Sequence, residues 1–195
     1  MSEADRLKWD RKYAEGAYRA RAWPSPLLEA WLDRFPPGRA LDIACGTGRN
    51  ALRVAEAGFQ VDALDISAVA LERGRDSARE RGLSINWQQA DLDALHLEAG
   101  HYQLITVIRY VNRRMTQALI DALAPGGWLL FEHHLRTPVD VDGPHNPEFR
   151  LDPQEPLHMF ADLRILHYEE AIKLERDERP MAIVELIGCK GDAGY

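Results

Sequence analysis

Apolar residues fall into two rhythms along this chain. Short, nearly continuous apolar runs of strand length recur at Arg39–Ala44, Gln60–Ile66, Ser84–Gln89, Tyr102–Ile108 and Trp128–His133. Between them, apolar positions repeat at helical spacing. One such stretch runs to Ala57, where Gly58 stops it; a second runs from the natural N-cap Ser67 to Gly82; a third spans Thr116–Ala124. This alternation predicts a parallel sheet with helices on both faces. The last two runs, Arg164–Lys173 and Met181–Cys189, flank the polar turn Glu175–Pro180 and predict an antiparallel hairpin at the sheet edge. The expected fold is α/β: a seven-stranded, mostly parallel sheet with a terminal antiparallel hairpin.

The pattern also predicts what lies around the sheet. The charged segment up to about Gly16, interspersed with Leu7, Trp9 and Tyr13, reads as a short helix, and Gly16–Trp23 as a loop. Ser25-Pro26 starts a second helix whose buried stripe is Leu27, Leu28, Trp31 and Leu32, and Pro36-Pro37-Gly38 ends it. Asp152, with Glu155 three residues on, predicts a capped helix over Pro153–Phe160. No linker or repeat interrupts the chain. It is expected to be one domain, with residues 1–37 as a helical lid segment and 38–195 as the core.

Composition narrows the function classes. A chain of 195 residues suits one domain, which buries roughly 70% of the surface of its unfolded form. Its net charge of −7 argues against a nucleic-acid partner, which needs a basic face. No apolar run approaches the ~18 residues of a membrane span, and the N-terminus is polar, so a cytoplasmic protein is expected. Cys45 and Cys189 are too few for a disulfide framework or a cysteine zinc site, and no metal is expected.

The candidate chemistry starts at Leu41-Asp42-Ile43-Ala44-Cys45-Gly46-Thr47-Gly48-Arg49-Asn50, a strand ending in an acidic residue, a glycine-rich turn and a helix start. Gly46 and Gly48 let the backbone approach a ligand, and the helix start offers unpaired N–H groups. Asp65 closes the next strand, where a carboxylate can accept from ribose hydroxyls. Gly46 to Ala51 also reads G-x-G-x-x-A, the dinucleotide fingerprint. A dinucleotide enzyme, however, commonly opens on this strand and follows with a substrate domain. Here some forty residues precede the strand, and too little chain remains afterwards.

Asp42, Gly46 and Gly48 match the acidic-x-Gly-x-Gly-x-Gly motif of class I S-adenosylmethionine-dependent methyltransferases, which this chain resembles; Ala44 stands in place of the first glycine. The Gly48-Arg49-Asn50 run, the Pro125-Gly126-Gly127 turn and the terminal region make it similar, within that superfamily, to the small tellurite-resistance and thiopurine-type methyltransferases. The resemblance implies S-adenosylmethionine as cofactor. It assigns to the cofactor site Asp42, Ala44, Cys45, Gly46, Gly48 and Asn50 around the loop, and Asp65 and Ile66 after the second strand. Asp91 and Leu92 after the third, Ile108 at the end of the fourth, and Trp9 and Tyr13 of the lid complete the set. Asp91 would read the adenine amine, and aromatic faces of the lid, Trp23 among them, attract a sulfonium. Cys45 lies where a helix N-terminus can lower its pKa, but a cysteine here is a packing residue in the family.

Methyl transfer needs positioning and exclusion of water more than a nucleophile. The acceptor is expected to be a small molecule, with a soft atom such as sulfur, selenium or tellurium implied by the resemblance. Arg109 and Tyr110 at the end of the fourth strand, and His133 and His134 at the end of the fifth, are the acceptor-pocket candidates; Arg19 and Arg21 can steer an anion. Arg109-Tyr110-Val111-Asn112 lacks the Pro-Pro-aromatic signature of base methylation. Alternatives are an oxygen or nitrogen acceptor, including a protein side chain, a non-catalytic cofactor-binding module, and an NAD(P)-binding reductase.

Overall fold

In a computed structural model, which describes residues 3–19 and 22–192, seven strands form one sheet. They are β1 (Arg39–Ile43), β2 (Gln60–Asp65), β3 (Ile85–Gln89), β4 (Tyr102–Ile108), β5 (Leu123–His134), β6 (Arg164–Leu174) and β7 (Pro180–Cys189). Their spatial order is β3-β2-β1-β4-β5-β7-β6. The first five run parallel, and β7 is antiparallel to both β5 and β6. The predicted sheet and hairpin are both present.

Six helices cover it: α1 (Glu3–Ala14), α2 (Pro26–Trp31), α3 (Arg49–Glu56), α4 (Ala68–Glu80), α5 (Thr116–Ala122) and α6 (Glu155–Met159). Strand side chains alternate between faces, and the core divides accordingly. Leu41, Ile43, Phe131 and Val184 pack on one face beneath α5 and Phe160. Ala40, Leu104, Leu130 and Ile187 pack on the other beneath α2 and α3. Both faces are thus closed, as a parallel sheet requires.

Local departures from the sequence reading have physical causes. Strand β5 begins at Leu123 rather than Trp128, because Pro125-Gly126-Gly127 bulges out within the strand: Tyr102 pairs with Leu123 but Leu104 already with Trp128. The helix near residue 153 is shorter than expected, starting at Glu155 after Gln154 in a left-handed conformation. Only half of its capping box forms. Glu155 accepts from the Asp152 amide at 2.8 Å, while the Asp152 carboxylate pairs instead with Arg136 at 2.9 Å. Ser25 and Ser67 cap α2 and α4 as predicted, accepting from the amides of Leu27 and Ala70. Among the described residues, no helix is long and apolar enough to cross a membrane.

Candidate active site

The carboxyl ends of β1, β2, β4 and β5 gather the site, as in open α/β sheets generally. After β1 the backbone takes three left-handed residues at alternate positions: Ala44 (φ 55°), Gly46 (φ 57°) and Gly48 (φ 79°). At the end of β2, Asp65 clamps this loop. Its Oδ2 accepts from the Gly46 amide at 2.8 Å and its Oδ1 from the Ser67 amide at 2.9 Å. Burial raises the Asp65 pKa, against these two amides, which lower it.

Asp42 does not hold the loop amides; Asp65 does. Asp42 lies in the core between β1 and β4, where its Oδ1 accepts from the Thr106 hydroxyl at 2.7 Å. Its Oδ2 is buried with no well-formed hydrogen bond, although the Ala51 amide of α3 acts on the carboxylate. Burial pushes its carboxyl up to about 7, while Thr106, Arg49 and the Ala51 amide pull the other way.

The two loop glycines make room for protein. A Cβ on Gly46 would come within 2.6 Å of the Tyr13 hydroxyl, and one on Gly48 within 2.2 Å of the Trp87 ring. The Gly48 clearance therefore belongs to core packing against β3, whereas at Gly46 the Tyr13 side chain of α1 fills the space. Cys45 is buried, and burial drives its thiol well above the ordinary value, so the helix-start effect considered from sequence does not prevail. Asn50 is also buried, and its Oδ1 accepts from the Ser25 amide at 2.9 Å. Leu92 and Ile108 belong to the two cores and Ile66 is buried. Asp91 is exposed in the turn after β3, accepting from the Asp93 amide.

Helix α1 docks on the start of α4. Asp10 Oδ1 accepts from the Ser67 hydroxyl at 2.7 Å, adding an outside acceptor to the helix start that Ser67 already caps. Trp9, Tyr13 and Tyr18 form an aromatic cluster with centroids 5.8–6.5 Å apart. Tyr13 is buried and its hydroxyl's pKa is raised, first by burial and then by the nearby Asp65. Trp9 already carries a cation: Lys12 Nζ sits 4.7 Å from its ring centroid. Arg19 is exposed and Arg21 lies outside the described residues.

On the acceptor side, Arg109 follows β4 in a left-handed conformation (φ 62°). It is fastened three ways: its amide donates to Glu132 O at 2.8 Å, its Nε pairs with Glu132 and its Nη2 with Glu175 of the β6–β7 turn. Ser25 Oγ donates to the same Glu132 carboxylate at 2.5 Å. Arg49, largely buried, donates to Trp23 O at 2.9 Å, and Arg176 lies 5.7 Å from the Trp23 ring. The segment before α2 and the hairpin turn thus meet over the ends of β4 and β5. Tyr110 is half-buried, and burial raises its hydroxyl to about 12. His133 and His134 stand side by side, ring centroids 5.7 Å apart. The His133 Nε2 faces Phe149 O at 3.0 Å, and burial lowers its pKa to about 4, keeping the ring neutral.

Thr106, Arg49, Glu132, Glu175, Asp10 and Trp87 were not anticipated from sequence. A usable signal existed for one of them: Glu132 interrupts an apolar strand run, and a buried acid implies a partner. Elsewhere among the described residues, His167, Glu169 and Glu185 bring potential metal-ligand atoms within 4.8 Å of one another. Lys173 Nζ already lies 2.5 Å from Glu169 and 2.7 Å from Glu185.

Known proteins resemble this chain in sequence and fold. A family model described as a methyltransferase domain matches residues 40–127. "Hemagglutinin 1" of Eikenella corrodens is 30% identical over 146 residues, covering 71% of this chain and 48% of that protein. "Ubiquinone biosynthesis O-methyltransferase" of Nitrosospira multiformis is 28% identical over 123 residues, covering 58% of this chain and 52% of that one. The chain spans about half the length of these curated relatives. The crystal structure of TehB from Haemophilus influenzae superposes with a TM-score of 0.74 at 21% identity, over 92% of this chain and 66% of TehB.

Proposed function

We propose that this chain, whose residues 40–127 match a methyltransferase-domain model and whose fold is shared with TehB, is an S-adenosylmethionine-dependent methyltransferase that acts on a small molecule. The observation that carries the reading is the Asp65–Gly46 clamp, which joins the β2 acid to the glycine loop in one rigid unit. The donor set fits the cofactor: a loop of left-handed residues, a carboxylate at the end of β2 and an orphaned acid behind the loop. Asp65 and the adjoining backbone would hold the ribose, Asp91 the adenine edge, and the loop amides the amino-acid end. When bound, the cofactor supplies a methyl group activated by its sulfonium.

The chain's own work is to orient and to exclude water. Tyr13 and α1 cover the loop from one side, and Trp23 and the hairpin turn close the other. Arg109, held by Glu132 and Glu175, fixes the rim where the acceptor would enter. Its Nη1 is buried without an acceptor, as is Trp23 Nε1, so two donor nitrogens stand unmatched where a polar acceptor molecule could engage them.

Neutral His133, committed to Phe149 O, is a weak base at neutral pH. That favours an acceptor that needs no proton removed, a thiolate or a selenium or tellurium oxyanion. The name of the Nitrosospira relative favours a second reading, an oxygen acceptor. A labelled-methyl screen over thiols, selenite, tellurite, phenols and amines separates them. Label on the soft acceptors is expected. Label on phenols alone promotes the second reading, and none on any acceptor contradicts both.

A further inference from the structure

We propose that Asp42 holds a proton in the ligand-free site and releases it when a cationic adenosine ligand binds at the glycine loop, so that the pocket selects its ligand by charge. This rests on the S-adenosylmethionine reading above. The starting observation is geometric. Asp42 is 2% exposed, its Oδ1 accepts from the Thr106 hydroxyl, and its buried Oδ2 has no well-formed hydrogen bond, the Ala51 amide being the one backbone donor that acts on the carboxylate. A buried carboxylate with an unsatisfied oxygen is costly while charged and far less so once protonated.

The groups that face it come from four directions. From β4 comes the Thr106 hydroxyl; from α3, the Arg49 guanidinium and the Ala51 amide; from β2, Asp65; from the loop, the Cys45 thiol, which burial keeps neutral. Arg49 is the one cation among them. Its charge is divided, because it also lies in the fields of Glu132 and Glu175 and donates to Trp23 O. Asp65 acts in the opposite direction, its nearby charge raising the Asp42 pKa further. Burial is accordingly the largest influence on Asp42 and places its titration at about 7.

A ligand's charge then decides what happens. S-adenosylmethionine carries a sulfonium, an ammonium and a carboxylate, hence one net positive charge. Its binding favours the Asp42 carboxylate, and the proton leaves to the buffer. S-adenosylhomocysteine lacks the sulfonium and should drive less release. A dinucleotide brings a pyrophosphate and should hold the proton in place. Two similar-sized adenosine ligands are thus distinguished without a steric difference.

Calorimetric titration near pH 6 in two buffers of different ionisation enthalpy counts the protons exchanged. The expected result is release of roughly 0.5–1 proton with S-adenosylmethionine and less with S-adenosylhomocysteine. Asp42→Asn should abolish the difference. Tight binding with no proton release, or equal release from a folded Asp42→Asn protein, overturns the proposal while leaving the cofactor reading intact. No binding of either sulfur ligand overturns the cofactor reading itself. Should Asp42→Asn fail to fold, the wild-type pH dependence decides: the affinity for S-adenosylmethionine should rise several-fold relative to S-adenosylhomocysteine from pH 6 to 8. A constant ratio overturns the proposal.

Discussion

Glu132 of β5 stands directly opposite Glu185 of β7, and Glu185 in turn stands opposite Glu169 of β6. Three carboxylates therefore line one row of the sheet, an arrangement that is destabilising unless each is neutralised. Arg109 and Ser25 engage Glu132, and Lys173 bridges the other two. The left-handed backbone of Arg109 is part of this solution, since it turns the guanidinium back toward β5.

Arg109→Ala should consequently lose about 3–5 kcal/mol of stability, because it leaves Glu132 buried and charged without its cation. Lys173→Ala should lose stability as well, because it leaves Glu185, only 5% exposed, without its lysine, although Glu169 stays in contact with water. Urea unfolding measures both. A loss below about 1 kcal/mol for Arg109→Ala would show that the row is not held this way.

Ala44 is a second strained point. An alanine in the left-handed region costs roughly 1–2 kcal/mol, part of which glycine gives back through its more flexible unfolded chain. Ala44→Gly should therefore raise stability by about 0.5–1 kcal/mol with cofactor binding retained. A lower melting temperature would contradict the strain.

Acid should weaken the fold through His133. Its folded pKa of about 4 lies below the ordinary 6.5, so between these values the unfolded chain binds a proton that the native protein does not. Its contribution is present above pH 6.5 and is lost as pH falls toward 4. Over that window a His133→Gln protein should lose less stability than wild type, by up to about 3 kcal/mol. With His134 also changed to Gln, transfer to a soft acceptor should fall less than tenfold. A drop of several orders of magnitude with cofactor binding preserved would point to base catalysis.

Much of this was legible in the sequence, and the part that was not has a common cause. Apolar periodicity gives the strands because both faces are buried, and Asp42, Gly46 and Asp65 follow from spacing along adjacent strands. The roles inside the site depend on contacts between distant segments. That Asp65 rather than Asp42 holds the Gly46 amide depends on how β2 sits against the loop. That Gly48 clears Trp87 depends on the β2–β3 pairing. Asp10 on Ser67 and Ser25 on Glu132 join residues 57 and 107 positions apart, beyond any local pattern.

Helix α1 meets the rest of the protein mainly through Asp10 and Tyr13, with Tyr13 its one buried residue. Removing residues 1–22 should leave the sheet folded while cutting turnover more than tenfold, because the loop would open to water. Circular dichroism and turnover together check this. A truncated chain that cannot fold would make the segment structural.

The central claim is that the Asp65-clamped glycine loop is a S-adenosylmethionine site, and titration calorimetry tests it most directly. Wild type should bind S-adenosylmethionine and S-adenosylhomocysteine but not NAD(P)H. Asp65→Ala should bind them roughly 10–100-fold more weakly, since it removes charge-assisted hydrogen bonds and frees the Gly46 amide. A folded wild-type chain that binds neither sulfur ligand, or an Asp65→Ala protein with unchanged affinity, would contradict the account.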